Sequence, residues 1–146
     1  MEKEKMKKME NEKIKNIIDK INVTFKESND KSELFTREHR KYICEIANDK
    51  GGYLFTYQCN PNYTRPTKDR LIACVLSDAR CYQDCLIGSE EDNLQEFANM
   101  FGYDNDLKEL MRAFKGCKEA SNKIDKMLTR QEQEDLYNYY CEKGEI

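Results

Sequence analysis

The chain has no tryptophan, and only 38% of its 146 residues are hydrophobic. This composition leaves enough apolar surface for one compact core and little for more. Long apolar runs are also missing: the longest, Leu71–Leu76, has six residues, whereas a membrane span needs roughly 18 or more. No apolar segment follows the charged N-terminus, so we predict no secretory signal. We therefore expect a cytoplasmic protein whose seven cysteines are reduced.

Motifs that carry catalysis are absent as well. The chain contains no glycine-rich phosphate loop, no Gly-x-Ser-x-Gly elbow and no His-Glu-x-x-His. A Cys–His nucleophile would need His39, the one histidine, beside Cys44 or Cys59, and nothing in their spacing requires this. We predict that the protein is not an enzyme, has no catalytic residues and uses no cofactor.

Four cysteines raise the alternative of a zinc site. Cys81 and Cys85 are four positions apart, which places them on one face of a helix, and Cys74 and Cys117 could complete a tetrahedral set. The spacing lacks the two Cys-x-x-Cys knuckles of a zinc ribbon. Cys74 and Cys117 also fall on apolar stripes, where a reduced cysteine behaves as a small hydrophobic residue. We predict no metal.

Asp104, Asn105 and Asp106 raise the separate alternative of a calcium loop. An EF-hand loop requires Gly at its sixth position and Glu at its twelfth, and this chain has Glu109 and Lys115 there. A helix N-terminus at Asp106 explains the acidic residues without a metal.

Residues 1–30 are predicted to form a charged N-terminal helix, followed by a single α+β domain over 31–146. The first 13 residues have no apolar stripe, whereas Ile14, Ile17, Ile18, Ile21 and Phe25 recur at helical spacing. We expect the later turns of this helix to pack against the domain and the first turns to be solvated.

A β-hairpin is predicted over 40–58. Tyr42–Ile46 and Tyr53–Tyr57 are rich in aromatic and β-branched residues, and Asn48–Gly52 supplies a turn. The alternative is a helix over 35–50 that ends at Gly51. Its face would consist of Phe35, His39, Tyr42, Ile43 and Ile46.

Helices are predicted over 67–87, 89–101, 106–128 and 130–143. Ser89 precedes three acidic residues, Gly102 suits a helix C-terminus, and Thr129 with Glu132 has capping-box spacing. The buried faces of the second and third helices are predicted to include Phe101, Leu107 and Met111. The fold class is therefore α+β: a small antiparallel hairpin packed against a mainly helical C-terminal bundle, with an N-terminal helix.

Negative charge is concentrated in the second half of the chain. Residues 73–146 contain 16 acidic and nine basic residues, a balance of −7, whereas residues 1–72 have a balance of +4. Carboxylates on short helices can imitate a row of phosphates and occupy a cationic groove. The plain alternative is a solvated surface with acids at helix N-termini. The predicted acidic contact residues are Glu90, Glu91, Asp92, Asp104 and Asp106.

Tyrosines of the hairpin region are a second predicted contact set. Tyr53, Tyr57 and Tyr63 are candidates because tyrosine is enriched at contact hot spots. The alternative is that they belong to the core of the hairpin.

An ordered set of segments covers Tyr42 to about Tyr137. It includes Pro66-Thr67 at a helix start, Leu71–Ala79, Phe97, and Phe101–Asp106 with its Gly-Tyr-Asp-x-Asp turn, followed by Ala113 and Cys117. In these features the chain resembles a family of short proteins found in bacterial phages and integrated elements. The resemblance implies a mobile-element origin, and it brings no activity.

The sequence therefore predicts a phage accessory protein that binds a host or phage protein, most specifically as an anti-CRISPR-like inhibitor of a host defence nuclease. The alternative is an accessory protein that binds nucleic acid through its Lys-rich N-terminal helix, although acidic residues are interleaved there. The lysines concerned are Lys3, Lys5, Lys7, Lys8, Lys13, Lys15 and Lys20.

Overall fold

A computed structural model describes residues 2–30, 37–102 and 106–146. In these ranges the chain forms helix α1, three strands and then four further helices. The helices are α1 (Glu2–Asp19), α2 (Lys68–Gln83), α3 (Glu90–Phe101), α4 (Leu107–Met127) and α5 (Arg130–Glu142). The strands are β1 (Asn22–Glu27), β2 (Arg40–Asn48) and β3 (Gly51–Cys59). The α+β class is confirmed. No helix within the described ranges is long and apolar enough to cross a membrane.

The three strands form one antiparallel sheet in the order β1-β2-β3. Strands β2 and β3 pair from Arg40 with Cys59 to Asn48 with Gly51, so the hairpin predicted over 40–58 is present. The helical interpretation of this region is wrong for the described residues. Buried and exposed side chains alternate along β2, as is typical of a strand: Cys44 and Ile46 are buried, and Glu45 between them is exposed.

Strand β1 was not predicted. The N-terminal helix ends at Asp19, and Phe25, which was assigned to that helix, lies in a strand instead. Val23 pairs with Ile46 and Phe25 with Cys44 along the free edge of β2. The pairing gives backbone N–H and C=O groups of β1 hydrogen-bond partners in β2. The helical spacing of the isoleucines is a local pattern and does not reveal this distant partner. As expected, the first turns of α1 are exposed, whereas Ile17 is buried.

The four later helices begin close to their predicted positions because each has a capping side chain. Ser89 and Thr129 form reciprocal capping boxes with Asp92 and Glu132, and Asp106 accepts a hydrogen bond from the Glu109 amide. Gly102 ends α3 in the left-handed conformation, at φ 74°. Helix α2 ends at Gln83 rather than at position 87, and the chain then turns to run beside α3.

The main core lies between the inner face of the sheet, helices α2 and α5, and the C-terminal half of α4. It also encloses the end of α1 through Ile17 and Ile21. Its fully buried members from the helices include Ile72, Val75, Ile124, Leu136 and Tyr140. Tyr140 donates a hydrogen bond to Asp69 Oδ1 at 3.0 Å, which ties α5 to α2. Helix α2 supplies five of the buried residues of this core, more than any other described element.

A second, smaller core lies between α3, the end of α2 and the N-terminal half of α4. Its buried members are Cys85, Phe97, Ala98, Leu110 and Phe114. Helix α4 is 21 residues long, about 31 Å, and therefore contributes to both cores.

Truncation of Leu136 should be far more damaging than truncation of an exposed leucine. Leu136 is fully buried in the main core, so we expect Leu136→Ala to lower the free energy of unfolding by about 2–5 kcal/mol. Leu54 is 65% exposed on the outer face of the sheet, and Leu54→Ala should change the free energy by less than about 0.5 kcal/mol. Urea titration followed by circular dichroism measures both. Equal effects of the two changes would contradict the assigned core.

Candidate functional site

A cleft with a volume of about 480 Å³ opens between α2, α3 and α4. This volume is in the range of small-molecule and side-chain binding pockets. The cleft is formed where three helices converge beside the second core, and α3 and α4 supply most of its surface. It is lined by Asp78, Cys81, Phe97, Phe101, Glu109, Arg112, Ala113, Gly116 and Cys117.

Two aromatic rings, those of Phe97 and Phe101, form the floor of the cleft, and further rings pack next to them. The Phe97 ring lies 4.7 Å from that of Phe101 and 5.4 Å from that of Phe114, in tilted and edge-to-face arrangements. Tyr82 of α2 meets Phe114 at 5.5 Å. Edge-to-face pairs of this kind hold helices in fixed relative positions and keep the floor apolar.

Large apolar side chains remain exposed around the second core. They have between 41% and 66% of their surface exposed, although Phe101, Leu107 and Met111 were predicted to be buried. That prediction is wrong because, among the described residues, α3 and the N-terminal half of α4 pack on each other and on the end of α2, which leaves part of their apolar stripes uncovered. We call this set the apolar rim; it consists of Leu86, Ile87, Met100, Phe101, Leu107 and Met111.

The loop after α2 holds one side of the apolar rim in place. Asn93 is buried, and its Oδ1 accepts hydrogen bonds from the amides of Ile87 at 2.7 Å and Gly88 at 3.0 Å. Cys85 Sγ lies 3.7 Å from Met100 Sδ. The loop is therefore fastened along α3, with the side chains of Leu86 and Ile87 left exposed.

The predicted acidic residues occupy the N-termini of two helices. Glu90 accepts a hydrogen bond from Lys118 Nζ at 3.0 Å, Asp92 completes the capping box with Ser89, and Asp106 caps α4. Glu91 is exposed, and no ion pair or hydrogen bond to it is formed in the part of the chain that the structure describes. Asp104 lies outside the described residues.

These acids are not brought into one patch. Glu90 contacts Lys118 while Phe97 contacts Phe114, so α3 and α4 run antiparallel. Lys118 and Asp106 are therefore about 18 Å apart along α4, at 1.5 Å per residue. The Glu90–Asp92 turn and Asp106 lie at opposite ends of the helix pair, with the cleft between them.

The three predicted tyrosines have different environments. Tyr53 is half-buried against the main core and stacks on Phe55 at 5.3 Å, and burial raises its pKa to about 12. Tyr57 donates a hydrogen bond to the Thr64 carbonyl at 3.1 Å. Tyr63 is 82% exposed in the loop before α2. The first two belong to the packing of the hairpin, and Tyr63 alone of this set is largely exposed.

The four cysteines considered for zinc are divided between two environments. Cys74 lies in the α2 surface near Cys44 and Tyr53, and burial raises its pKa to about 12. Cys85 is buried in the second core and directs its thiol at the Cys81 carbonyl, 3.1 Å away. Over residues 2–30, 37–102 and 106–146, no group of three or more His, Cys, Asp or Glu side chains is arranged to hold a metal ion.

Cys81 and Cys117 do meet, across the contact between α2 and α4. A hydrogen bond from the Cys117 thiol lowers the pKa of Cys81, and the same contact together with burial raises the pKa of Cys117. Asp78, one helical turn before Cys81, lies at the mouth of the same cleft. Asp78 is an exposed residue, yet the helices around it remove part of the hydration of its carboxyl group and raise its pKa to about 6.

The thiols considered with His39 are not activated. Cys44 is buried under the sheet, where loss of hydration raises its pKa to about 11, and burial also raises the pKa of Cys59. A nucleophilic cysteine requires the opposite shift.

No protein-family model, curated protein or solved structure matches this chain. The resemblance to phage and mobile-element proteins therefore stays a prediction, and the function rests on the residues of the site.

Replacement of Asp78 should make the free energy of unfolding less dependent on pH. Because the folded-state pKa is about 6 and the ordinary value is 3.8, the folded state binds more protons between these values, and stability falls as pH rises through the window. Asp78→Asn removes this loss. We expect the variant to gain up to about 1 kcal/mol over the wild type at pH 7.5, a limit set by solvent screening of the exposed side. At pH 3.5 the two proteins should be equally stable within error.

Urea unfolding at several pH values measures the difference. Asp49→Asn, in the turn between β2 and β3, is the matched control and should show no such trend. An Asp78→Asn curve parallel to the wild-type curve across the window would show that the cleft does not desolvate this carboxylate.

Proposed function

We propose that the protein is a non-enzymatic binding protein that docks a partner protein onto the apolar rim and the adjoining cleft. In its most specific form, the proposal is that the partner is a host defence nuclease and that the protein inhibits it, in the manner of an anti-CRISPR. The cluster of exposed apolar side chains around the second core is the observation that carries the proposal.

Exposed apolar side chains are common singly, but a set bordering one small core is a recognised sign of a contact surface. Two of the six are methionines, Met100 and Met111, whose flexible thioethers adapt to a partner surface. The cleft beside them offers an aromatic floor into which a partner side chain could insert. Phe101 belongs to both features, so the rim and the cleft form one surface.

Charge around this surface favours a basic partner. Of the described residues between Asp84 and Glu109, seven are acidic and one, Lys108, is basic. Part of this charge is already neutralised, because Glu90 pairs with Lys118 and Asp84 lies 3.7 Å from Arg80. Glu91 and the exposed side of the α3 N-terminus remain to attract cations. A nuclease groove is cationic because it holds phosphates, which is the reason to consider nucleases first.

The alternative proposal, direct binding of nucleic acid by α1, is supported by exposure of the first turns of that helix. Lys3, Lys7 and Lys13 face the groove between α1 and α5, but Glu10, Asp135 and Glu142 line the same groove. Mixed charge of this kind weakens phosphate binding. A gel-shift assay at low salt distinguishes the two proposals, since only the alternative gives a complex with DNA or RNA alone.

Substitution within the apolar rim should abolish partner capture. We expect Ile87→Asp and Met111→Asp baits to lose a protein that the wild-type bait retains from a bacterial lysate. Ile87 and Met111 are 63% and 54% exposed, so the changes should leave folding intact, which circular dichroism checks. Leu54→Asp, on the outer face of the sheet and 65% exposed, is the matched control and should retain the partner.

A salt titration and a charge reversal test whether negative charge around the apolar rim attracts the partner. Affinity for the captured protein should fall as salt rises from about 0.05 to about 0.2 M. Glu91→Lys should weaken binding, and Glu12→Lys on α1 should not. For a captured nuclease, the wild-type protein should block cleavage and Ile87→Asp should fail to do so. Loss of the partner with Leu54→Asp but not with the rim variants would refute the proposed surface.

A further inference from the structure

Cys81 of α2 and Cys117 of α4 form a thiol pair that the proposed binding function does not use. Their side chains are joined by a hydrogen bond, and both line the cleft between α2, α3 and α4. Both are partly exposed, and all seven cysteines are free thiols. The two thiols thus interact with each other and are open to small reagents.

No other described cysteine combines these properties. Cys44, Cys59 and Cys85 are buried, and Cys85 already directs its thiol at the Cys81 carbonyl. Cys74 is half-buried with a raised pKa, so it is largely a thiol at neutral pH. Cys141 is exposed on α5, where it neighbours Tyr137 rather than another thiol. The Cys81–Cys117 contact is therefore the place where intramolecular thiol chemistry should occur.

The hydrogen bond between the two thiols assigns them different roles. The interaction between the two thiols lowers the pKa of Cys81 and raises that of Cys117. The nearby charge of Asp78 opposes ionisation of both thiols, and the hydrogen bond prevails at Cys81. Since the thiolate is the nucleophile, Cys81 reacts first and Cys117 second.

We propose that Cys81 and Cys117 are a redox-active dithiol that closes to a disulfide between α2 and α4 when the protein meets a peroxide. The Cys81 thiolate attacks one peroxide oxygen, the O–O bond breaks, and Cys81 becomes a sulfenic acid as hydroxide leaves. The Cys117 sulfur then attacks the Cys81 sulfur, the S–O bond breaks, and the second oxygen leaves as water. In total two thiols and one hydrogen peroxide give one disulfide and two molecules of water.

The position of the pair gives this reaction a structural consequence. A disulfide between Cys81 and Cys117 closes a loop that contains all of α3 and every member of the apolar rim, from Leu86 to Met111. A disulfide bond has an S–S length of about 2.05 Å, so the two sulfurs must move closer together for the bond to form. Closing such a loop restricts the unfolded chain and stabilises the folded one.

Peptide mapping of the full-length protein after peroxide treatment tests the proposal. We expect the intact protein to lose two hydrogen atoms and the non-reduced digest to contain a Cys81–Cys117 linked peptide. The thermal midpoint should rise and return to its first value on addition of dithiothreitol. Cys117→Ser should form no linked peptide but should accumulate a dimedone-trapped sulfenic acid at Cys81, and Cys81→Ser should give neither product.

Cys141→Ser is the matched control, since it removes an exposed thiol outside the cleft and should leave the reaction unchanged. Measurements on the wild-type protein decide the question even where a variant folds poorly. Linkage through Cys141 between two chains, first oxidation at Cys74, or no Cys81–Cys117 linkage at peroxide levels that oxidise Cys141 would each overturn the proposal.

Discussion

The packing of α2 against α4 is the interaction on which the rest of the structure depends. Helix α2 buries Leu71, Ile72, Val75 and Leu76, and α4 runs beside it for both cores. A polar link at one end joins this pair to α5: Gln83 Nε2 donates to Ser121 Oγ and to Gln133 Oε1, each at 3.1 Å. Within the described ranges, every buried side-chain nitrogen and oxygen has a hydrogen-bond partner. The polar link therefore fixes the arrangement of the helices without the cost of an unsatisfied polar group.

Neighbouring elements cover the two halves of α4 unequally, and this difference creates the candidate site. Its C-terminal half is enclosed by the sheet, α2 and α5, and Asn48 ties it to the hairpin by donating to the Met127 carbonyl at 2.9 Å. Among the described residues, its N-terminal half has α3 and the end of α2 beside it. The apolar rim, the cleft and the Cys81–Cys117 contact all lie along this less covered half. The proposed docking surface and the proposed dithiol thus share one region because packing there is incomplete.

Predictions from the sequence were most accurate for features that neighbouring residues determine, such as the starts of helices. Ser89, Asp106 and Thr129 act on amides three positions away, so helix starts could be located from spacing alone. The same local roles account for Asp92 and Asp106, which were predicted as contact residues and serve as caps. The apolar rim was missed because a helical stripe indicates which side chains are apolar and cannot indicate how much of the stripe a neighbouring helix covers. Leu107 and Met111 illustrate this, since they continue the stripe of Leu110 and Phe114 beyond the reach of α3.

The amino-acid sequence by itself determined the class of the fold, the hairpin and the four later helices, because side-chain alternation, apolar spacing and caps act over a few residues. Tertiary structure decided the rest. Strand β1 forms because Val23 and Phe25 pair with the free edge of β2, which lies some 20 positions further along the chain. The meeting of Cys81 with Cys117 likewise depends on how α2 and α4 pack, since no rule of spacing relates residues 36 positions apart. Contacts of this kind arise from the arrangement of whole elements, and only the folded chain shows them.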